Sequence, residues 1–515
     1  MEQDCRRNLK FLPKFIKPLL LSPIKNPFLW ILALLLISAK GHLEIIDTEY
    51  TARTALALIE EGSMLIDIID PAILKNVPKI DGTEKIYSQY GLGLVAIFLP
   101  IVGLGKVIAS AFNIDQRIII DFLLSFYNVP FAMLGLYFFR SILVQLGTSQ
   151  AKATTCMLLL FCCTGFWKYS VTDFSEITQV AFLLGAINFL LSEKSSKWKR
   201  VSFWLALLVM MKLVYVILLP VFFVYAVWSE NGKKNLQTAS YRCLEFCIFL
   251  LPAGLFLAYM NYMRFGSIFE TGYGSEASLF SWDFFRRDWF DYLFSMQRGI
   301  LPFNPILLLS SIGWFFLPRE NRKFFLLIGS AILSWFILMC FWKSLQGGYC
   351  WGNRLLIPIL PLLFMPLAFV PFHSKISQFT IILITVFSCL IQISSVCTKT
   401  HEVSVLRDEI HSQSNLSTPP QLPSTLLLFW YKLTNDSTIV PTSVLGVSSD
   451  ENYDLSSYES FYGFNLWPVH ALKFIGLSSY CYRGSLAMLA LLIAIIFVLF
   501  EATLSSCFNR KLKPK

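Results

Sequence analysis

Two carboxylates lie two residues apart just after the first apolar segment of the chain, in Ile45-Ile46-Asp47-Thr48-Glu49-Tyr50. Acidic groups at a lipid boundary are unfavourable next to hydrocarbon and are usually retained for ion, proton or reaction chemistry. Asp47 and Glu49 are therefore the first candidates for catalysis, with Asp47 either a general base or a ligand of a divalent metal. The alternative is an ordinary solvated loop, because acids beside membrane spans are common.

Further charged residues lie next to apolar segments on the same predicted side of the membrane. They are Asp173, Glu176, Lys212, Arg298, Lys343 and Arg354. A carboxylate can deprotonate an attacking hydroxyl, whereas Arg and Lys bind phosphate oxygens and stabilise a phosphate leaving group. Acids and bases at one lipid boundary therefore fit a lipid-phosphate substrate, which Asp173, Glu176, Lys212, Arg298 and Arg354 would bind.

Three of these candidates have a clear structural alternative. Asp173 is a natural N-cap for the span that follows it, where acids interact favourably with the helix dipole. Lys212 has apolar neighbours on both sides, so its ammonium either extends to the interface or binds phosphate. Arg354 begins a span, and an Arg at a membrane boundary is as ordinary as one that binds phosphate.

The composition predicts a polytopic membrane protein. Of the 515 residues, 55% are hydrophobic and only 15% are charged, which is far too apolar for a soluble domain. Lys and Arg exceed Asp and Glu by 43 to 33, but the excess clusters in short connectors between apolar segments, where it orients spans. A nucleic-acid partner has little support, and the scattered histidines show no zinc-ligand spacing.

The basic connectors predict the orientation of the spans. Lys and Arg before Pro27 place the N-terminus in the cytoplasm, and residues 201–228, basic at both ends, are predicted to form a hairpin with Lys212 near its tip. Residues 90–111 are predicted to lie in the outer interface, because crossing there would invert every later connector. We therefore expect an all-α bundle of about twelve transmembrane helices with both termini cytoplasmic.

Three regions of the chain follow from this topology. Residues 1–397 are expected to form the transmembrane catalytic module, with a first outer loop at 40–117 that includes an interfacial helical segment. Residues 398–483 are expected to form a small outer lobe, and residues 484–515 the last transmembrane helix with a basic cytoplasmic tail.

Several segments resemble the GT-C superfamily of membrane glycosyltransferases, which includes the protein O-mannosyltransferases and the lipid A aminoarabinose transferases, and a bacterial branch of similar predicted transferases in particular. The similarity covers roughly residues 27 to 370 and departs from the pattern at Cys350 and Asn353. The segments that carry it are the acids at 47 and 49, Tyr87-Ser88-Gln89-Tyr90-Gly91-Leu92-Gly93, Phe265-Gly266-Ser267 to Gly274, Gln297-Arg298-Gly299 with Asn304-Pro305, and Gly347-Gly348-Tyr349-Cys350-Trp351-Gly352-Asn353-Arg354.

The resemblance implies an inverting glycosyltransferase of a bacterial inner membrane. It would move a sugar from a polyprenyl-phosphate-linked donor to an acceptor lipid, glycan or protein on the outer face. Asp47 matches the first-loop acid of the superfamily, and Arg354 matches a basic residue of its late aromatic loop. Two alternatives remain open from the residues: a lipid or glycan transporter or flippase, and a non-catalytic protein that binds a lipid-linked glycan.

Overall fold

The computed structural model describes residues 26–67, 85–192, 196–228, 236–273, 280–342, 347–348, 350–372, 374–414, 418–434 and 463–508. Helices make up nearly all of the regular structure in these ranges. The α-helices are α1 (Pro27–Ser38), α2 (Ile46–Glu60), α3 (Leu92–Phe112), α4 (Gln116–Leu124), α5 (Asn128–Gln145), α6 (Gln150–Cys163), α7 (Phe166–Ser170), α8 (Glu176–Leu190), α9 (Lys197–Met211), α10 (Leu219–Trp228), α11 (Leu236–Phe265), α12 (Trp282–Phe294), α13 (Ile300–Phe303), α14 (Leu307–Gly313), α15 (Arg322–Phe341), α16 (Leu360–Phe364), α17 (Lys375–Cys397), α18 (Thr400–Ser414), α19 (Gln421–Thr434), α20 (Trp467–Phe474) and α21 (Cys481–Phe508).

Short 3₁₀ segments extend several of these helices, including Leu213–Leu218 before α10 and Arg354–Ile359 before α16. Within the described ranges, the strands β1 (Leu65–Asp67) and β2 (Lys85–Tyr87) form one antiparallel pair. Their register joins Leu65 to Tyr87, Ile66 to Ile86 and Asp67 to Lys85.

The helices confirm the predicted all-α membrane architecture. Six described helical stretches are long and apolar enough to cross a membrane, and six shorter apolar ones accompany them. The longer stretches are Leu92–Phe112, Gln116–Gln145, Ser240–Phe265, Arg319–Phe341, Lys375–Cys397 and Ser478–Glu501.

The predicted hairpin at residues 201–228 is present. Lys212 adopts an extended conformation, with φ −149° and ψ 123°, and so ends helix α9. The two arms then run side by side, because α11 contacts both of them at the same level. Glu245 of α11 forms an ion pair with Lys199 in the first arm, and Arg242 donates a hydrogen bond to the Ala226 carbonyl in the second. Lys212 is therefore at the tip.

Helix α3 has the length and composition of a span, yet both of its ends are tied to one end of the bundle. Gly91 packs so tightly on the Met211 carbonyl that a Cβ there would collide with it. Helix α4, which packs back along α3, pairs Arg117 with Glu49 at 3.3 Å. These contacts favour the interfacial placement that the charge bias predicts for residues 90–111.

A continuous apolar core joins the spans, and it extends into the last part of the chain. Buried side chains from α1, α5, α6 and α8 form its centre, and Leu422, Phe464, Leu466 and Val469 belong to the same cluster. The charged residues predicted for a site sit at the end of the bundle where α1 ends and α8 begins. We call this the site end.

Candidate functional site

Asp47 and Arg354 form an ion pair at the site end, although they are far apart in the sequence. Asp47 lies in the first turn of α2, where a carboxylate interacts favourably with the helix dipole. Its Oδ2 is 3.2 Å from Nη1 of Arg354, whose guanidinium lies over the Phe174 ring at 4.7 Å from the ring centroid. Both side chains remain partly exposed, Asp47 at 30% and Arg354 at 17%, so a ligand can reach the pair.

Glu176 and Lys212 form a second ion pair beside the first. The Lys212 ammonium at the hairpin tip is 2.8 Å from Oε1 of Glu176, with Glu176 only 2% exposed and Lys212 33% exposed. Lys212 therefore has a carboxylate partner at the site end. The other oxygen, Oε2 of Glu176, is buried and has no hydrogen-bond partner in the described part of the chain.

The two ion pairs belong to one site because the elements that carry them pack together. Glu176 opens α8, which packs against the 3₁₀ segment that Arg354 opens. Tyr169 lies close enough to both Glu176 and Arg354 for each charge to act on its hydroxyl. The structure thus brings together Asp47, Glu176, Lys212 and Arg354, four of the eight charged residues named as candidates from the sequence.

Asp173 is buried and supports the start of the helix that carries Asp47. It is 2% exposed, and its Oδ2 accepts hydrogen bonds from the backbone amides of Glu44 and Ile45, at 3.1 and 2.9 Å. These amides lie immediately before α2, so Asp173 fixes the start of the helix that carries Asp47. Burial, followed by the nearby Glu44 carboxylate, raises the pKa of Asp173 well above its usual range. This contact differs from the predicted capping of its own helix.

Glu49 is turned away from Arg354. Residues two apart on a helix point in nearly opposite directions, and the side chain of Glu49 pairs instead with Arg53 at 2.8 Å and Arg117 at 3.3 Å. The structure therefore gives Asp47 and Glu49 different partners. In the structure, Glu49 links α2 to α4 through these ion pairs.

Arg298 does not share the surface of the two ion pairs. Its side chain is 4% exposed and donates hydrogen bonds to the backbone carbonyls of Gly348, Cys350 and Gly352. Arg298 thus holds the loop that leads to Arg354. Lys343, another sequence candidate, lies outside the described residues.

Tyr90 and Phe174 also line the site and were not among the predicted site residues. The Tyr90 hydroxyl lies near Asp47, and burial, followed by the charge of that carboxylate, raises the pKa of Tyr90. Tyr90 belongs to the Tyr-Gly-Leu-Gly stretch before α3. This stretch is one of the segments that carry the resemblance described from the sequence, and it could have identified Tyr90 as a site residue. Phe174, between the two predicted acids, gave no such signal.

A buried cluster of charges beneath the site also escaped prediction. Lys40 donates hydrogen bonds to the carbonyls of Val396 and Asn465, at 2.5 and 2.9 Å. Lys168 donates to those of Ser395 and Thr398, at 2.8 and 3.2 Å. Both ammonium groups thus cap the carboxyl end of α17, which is favourable for the helix dipole. The sequence offered a signal for Lys168, because this charged residue lies between two aromatic residues, Trp167 and Tyr169.

The predicted alternative of a metal at Asp47 does not fit the side chains around it. Among the described residues, no three His, Cys, Asp or Glu side chains lie close enough to hold a metal ion. The Arg354 guanidinium occupies one oxygen of Asp47, and a second cation there would be repelled.

Comparison with solved structures gives low-identity matches that include the following two. ArnT from Cupriavidus metallidurans bound to undecaprenyl phosphate is 12% identical, with a TM-score of 0.48 over 92% of this chain and 76% of that chain. The oligosaccharyltransferase from Archaeoglobus fulgidus in the apo form is 11% identical, with a TM-score of 0.47 over 78% of this chain and 60% of that chain.

No family profile matches the chain, and no curated protein matches its sequence significantly.

Proposed function

We propose that this protein is a membrane glycosyltransferase that moves a sugar from a polyprenyl-phosphate-linked donor to an acceptor hydroxyl or amine. The observation that carries the proposal is the pairing at the site end. One accessible carboxylate, Asp47, lies 3.2 Å from one accessible guanidinium, Arg354, and a second cation, Lys212, lies beside them. A base next to two phosphate-binding groups is what transfer from a glycosyl phosphate requires.

Each residue has a defined task in this reaction. The donor phosphate binds Arg354 and Lys212, and it competes with Asp47 for the guanidinium. Asp47, released from that ion pair, accepts the proton of the acceptor nucleophile as it attacks the anomeric carbon of the sugar. The bond from that carbon to the phosphate oxygen breaks, and the two cations stabilise the additional negative charge on the leaving phosphate. A single displacement of this kind inverts the anomeric centre.

The arrangement of charges favours this reaction over transport of a lipid or glycan. A transporter of this size is expected to hold ionisable groups near the middle of its spans. Here Asp47, Glu176, Lys212 and Arg354 all lie at ends of helices at one end of the bundle. A non-catalytic protein that binds a lipid-linked glycan would use the same cations but would not need Asp47.

Replacement of Asp47 by Asn tests the proposal, with Glu49→Gln as a matched control in the same helical turn. Purified protein in proteoliposomes would be given a panel of labelled polyprenyl-phosphate sugars, and transfer to membrane acceptors would be measured. Loss of a general base is expected to slow transfer by about 10²- to 10⁴-fold, whereas Glu49→Gln retains it. Undiminished transfer by Asp47→Asn would refute the catalytic role. Donor binding without turnover in the unaltered protein would favour the non-catalytic alternative.

We further propose that the site faces outward from a bacterial inner membrane, with both termini in the cytoplasm. The basic connectors support this orientation. A single cysteine at position 47 should react with a membrane-impermeant thiol reagent added to the outside of spheroplasts. Reaction only after the membrane is permeabilised would reverse the assigned orientation.

A further inference from the structure

The loop at residues 350–354, which leads to Arg354, is held in place through its backbone. Side chains from three separate elements bind it from different sides, so its conformation is set before any ligand arrives. The Tyr169 hydroxyl donates to the Trp351 carbonyl at 2.6 Å, Arg298 to the Gly352 carbonyl at 3.2 Å, and Gln421 both donates to the Cys350 carbonyl at 2.8 Å and accepts from the Gly352 amide at 2.9 Å.

In contrast to this backbone, several side-chain polar atoms of the same loop are buried without partners. Asn353 is only 5% exposed, and neither its Oδ1 nor its Nδ2 has a hydrogen-bond partner in the described part of the chain. The same is true of the indole nitrogen of Trp351 and of Nε of Arg354. Buried polar groups are normally satisfied, so a rigid loop with this many exceptions indicates a ligand or ordered water.

The unpartnered atoms also indicate what the ligand must offer. A phosphate diester carries only acceptors, so it can satisfy Nε of Arg354 but not the carbonyl oxygen of Asn353 or Oε2 of Glu176, which need a donor. A hydroxyl group both donates and accepts, and it satisfies both ends of an amide. Because both amide atoms are unpartnered, this reasoning holds for either orientation of the Asn353 side chain.

We propose that Asn353 binds a hydroxyl group of the sugar that is transferred, and that it determines which sugar the site accepts. This inference rests on the proposed function, since it assigns the part of the donor that lies next to the phosphate on Arg354. A site that binds a hydroxyl through buried polar groups discriminates strongly against donors that lack it.

Binding measurements with two ligands separate the sugar contact from the phosphate contact. Polyprenyl phosphate without a sugar, and the same carrier bearing a hexose, a pentose or an amino sugar, would be titrated into purified protein. For the sugar that the site accepts, Asn353→Leu should weaken binding of the glycosylated carrier by about tenfold and leave the free carrier unchanged. Arg354→Gln should weaken both, which tests the proposed function separately. Equal effects of Asn353→Leu on both ligands, or none on any, would overturn the inference.

Thermal unfolding distinguishes a ligand contact from a structural water. If the amide serves a ligand, Asn353→Leu removes two unsatisfied polar atoms and should raise the unfolding midpoint of the ligand-free protein. If ordered water satisfies the amide, the same substitution leaves that water without partners and lowers the midpoint. A lower midpoint together with unchanged binding of every glycosylated carrier would assign Asn353 to the scaffold.

Discussion

Removing the carboxylate of Asp47 should increase the affinity of the protein for the phosphate of the proposed donor while it slows transfer. In the proposed mechanism, Asp47 and the donor phosphate compete for the same guanidinium, that of Arg354. The phosphate must therefore displace an existing ion pair before it binds. Asp47→Asn keeps the shape of the side chain and removes the charge, so that Arg354 is available from the start.

The geometry gives the size of the gain. At the 3.2 Å separation of Asp47 and Arg354, the Coulomb energy is about 1.3 kcal/mol in water and about 5 kcal/mol at an effective dielectric constant of 20, before desolvation is subtracted. Exposed ion pairs contribute about 0.2–1 kcal/mol net. The side chain of Asp47 is 30% exposed and that of Arg354 is 17% exposed. We therefore take about 1.4 kcal/mol as the net interaction energy of this ion pair. This corresponds to binding about ten times tighter.

The assay is titration of undecaprenyl phosphate into purified protein in detergent, followed by intrinsic tryptophan fluorescence. Glu49→Gln is the matched control, because Glu49 pairs with Arg53 and Arg117 instead, and its affinity should not change. In an Arg354→Gln background, Asp47→Asn should give no gain, since the competing pair no longer exists. A gain that persists in that background, or no gain in the single variant, would refute the competition.

Three further variants test the supports of the site. Arg298→Lys should lower the free energy of unfolding by about 2 kcal/mol, because one ammonium cannot reach every carbonyl that the guanidinium binds; chemical denaturation measures this. Lys212→Met should destabilise the protein by about 1–2 kcal/mol, since it leaves the buried Glu176 carboxylate unpaired, and adding Glu176→Gln should restore stability without restoring transfer. Burial, followed by repulsion from Lys168, lowers the pKa of Lys40 to about 7. A lowered folded-state pKa makes the unfolded state bind more protons between pH 7 and 9, so stability relative to Lys40→Met should rise with pH by about 2 kcal/mol over that interval. This expectation would be contradicted if the unfolding midpoints of the unaltered protein and of Lys40→Met changed in parallel as the pH rises.

The sequence was most informative where hydropathy and charge act through local rules. Lys212 interrupts an apolar stretch with basic residues at both ends, and this pattern correctly predicted both the hairpin and the position of the ammonium at its tip. The separate directions of Asp47 and Glu49 were also within reach of sequence analysis. The first outer loop was expected to include a helical segment, and residues two apart on a helix do not share a face.

Other assignments depended on contacts that no local pattern encodes. Arg298 was expected to bind substrate because a guanidinium suits phosphate, but its fork fits the converging backbone carbonyls of a tight loop equally well. Only the tertiary path of residues 347–354 decides between these partners. The unpartnered amide of Asn353 was similarly invisible, because satisfaction of a buried polar group is a property of the folded environment.

The buried charges beneath the site connect an early and a late segment of the chain. Glu44 immediately precedes α2 and accepts a hydrogen bond from Nδ2 of Asn465 at 2.7 Å, while Lys40 donates to the carbonyl of the same Asn465. Burial of an ammonium is strongly unfavourable unless its hydrogens are bonded, so Lys40 can occupy its place only when the segment around Asn465 has docked. The start of α2, and with it the position of Asp47, is then fixed by Asp173 on one side and by this late segment on the other. Residues after 397 therefore take part in forming the site, even though the predicted catalytic module ends there.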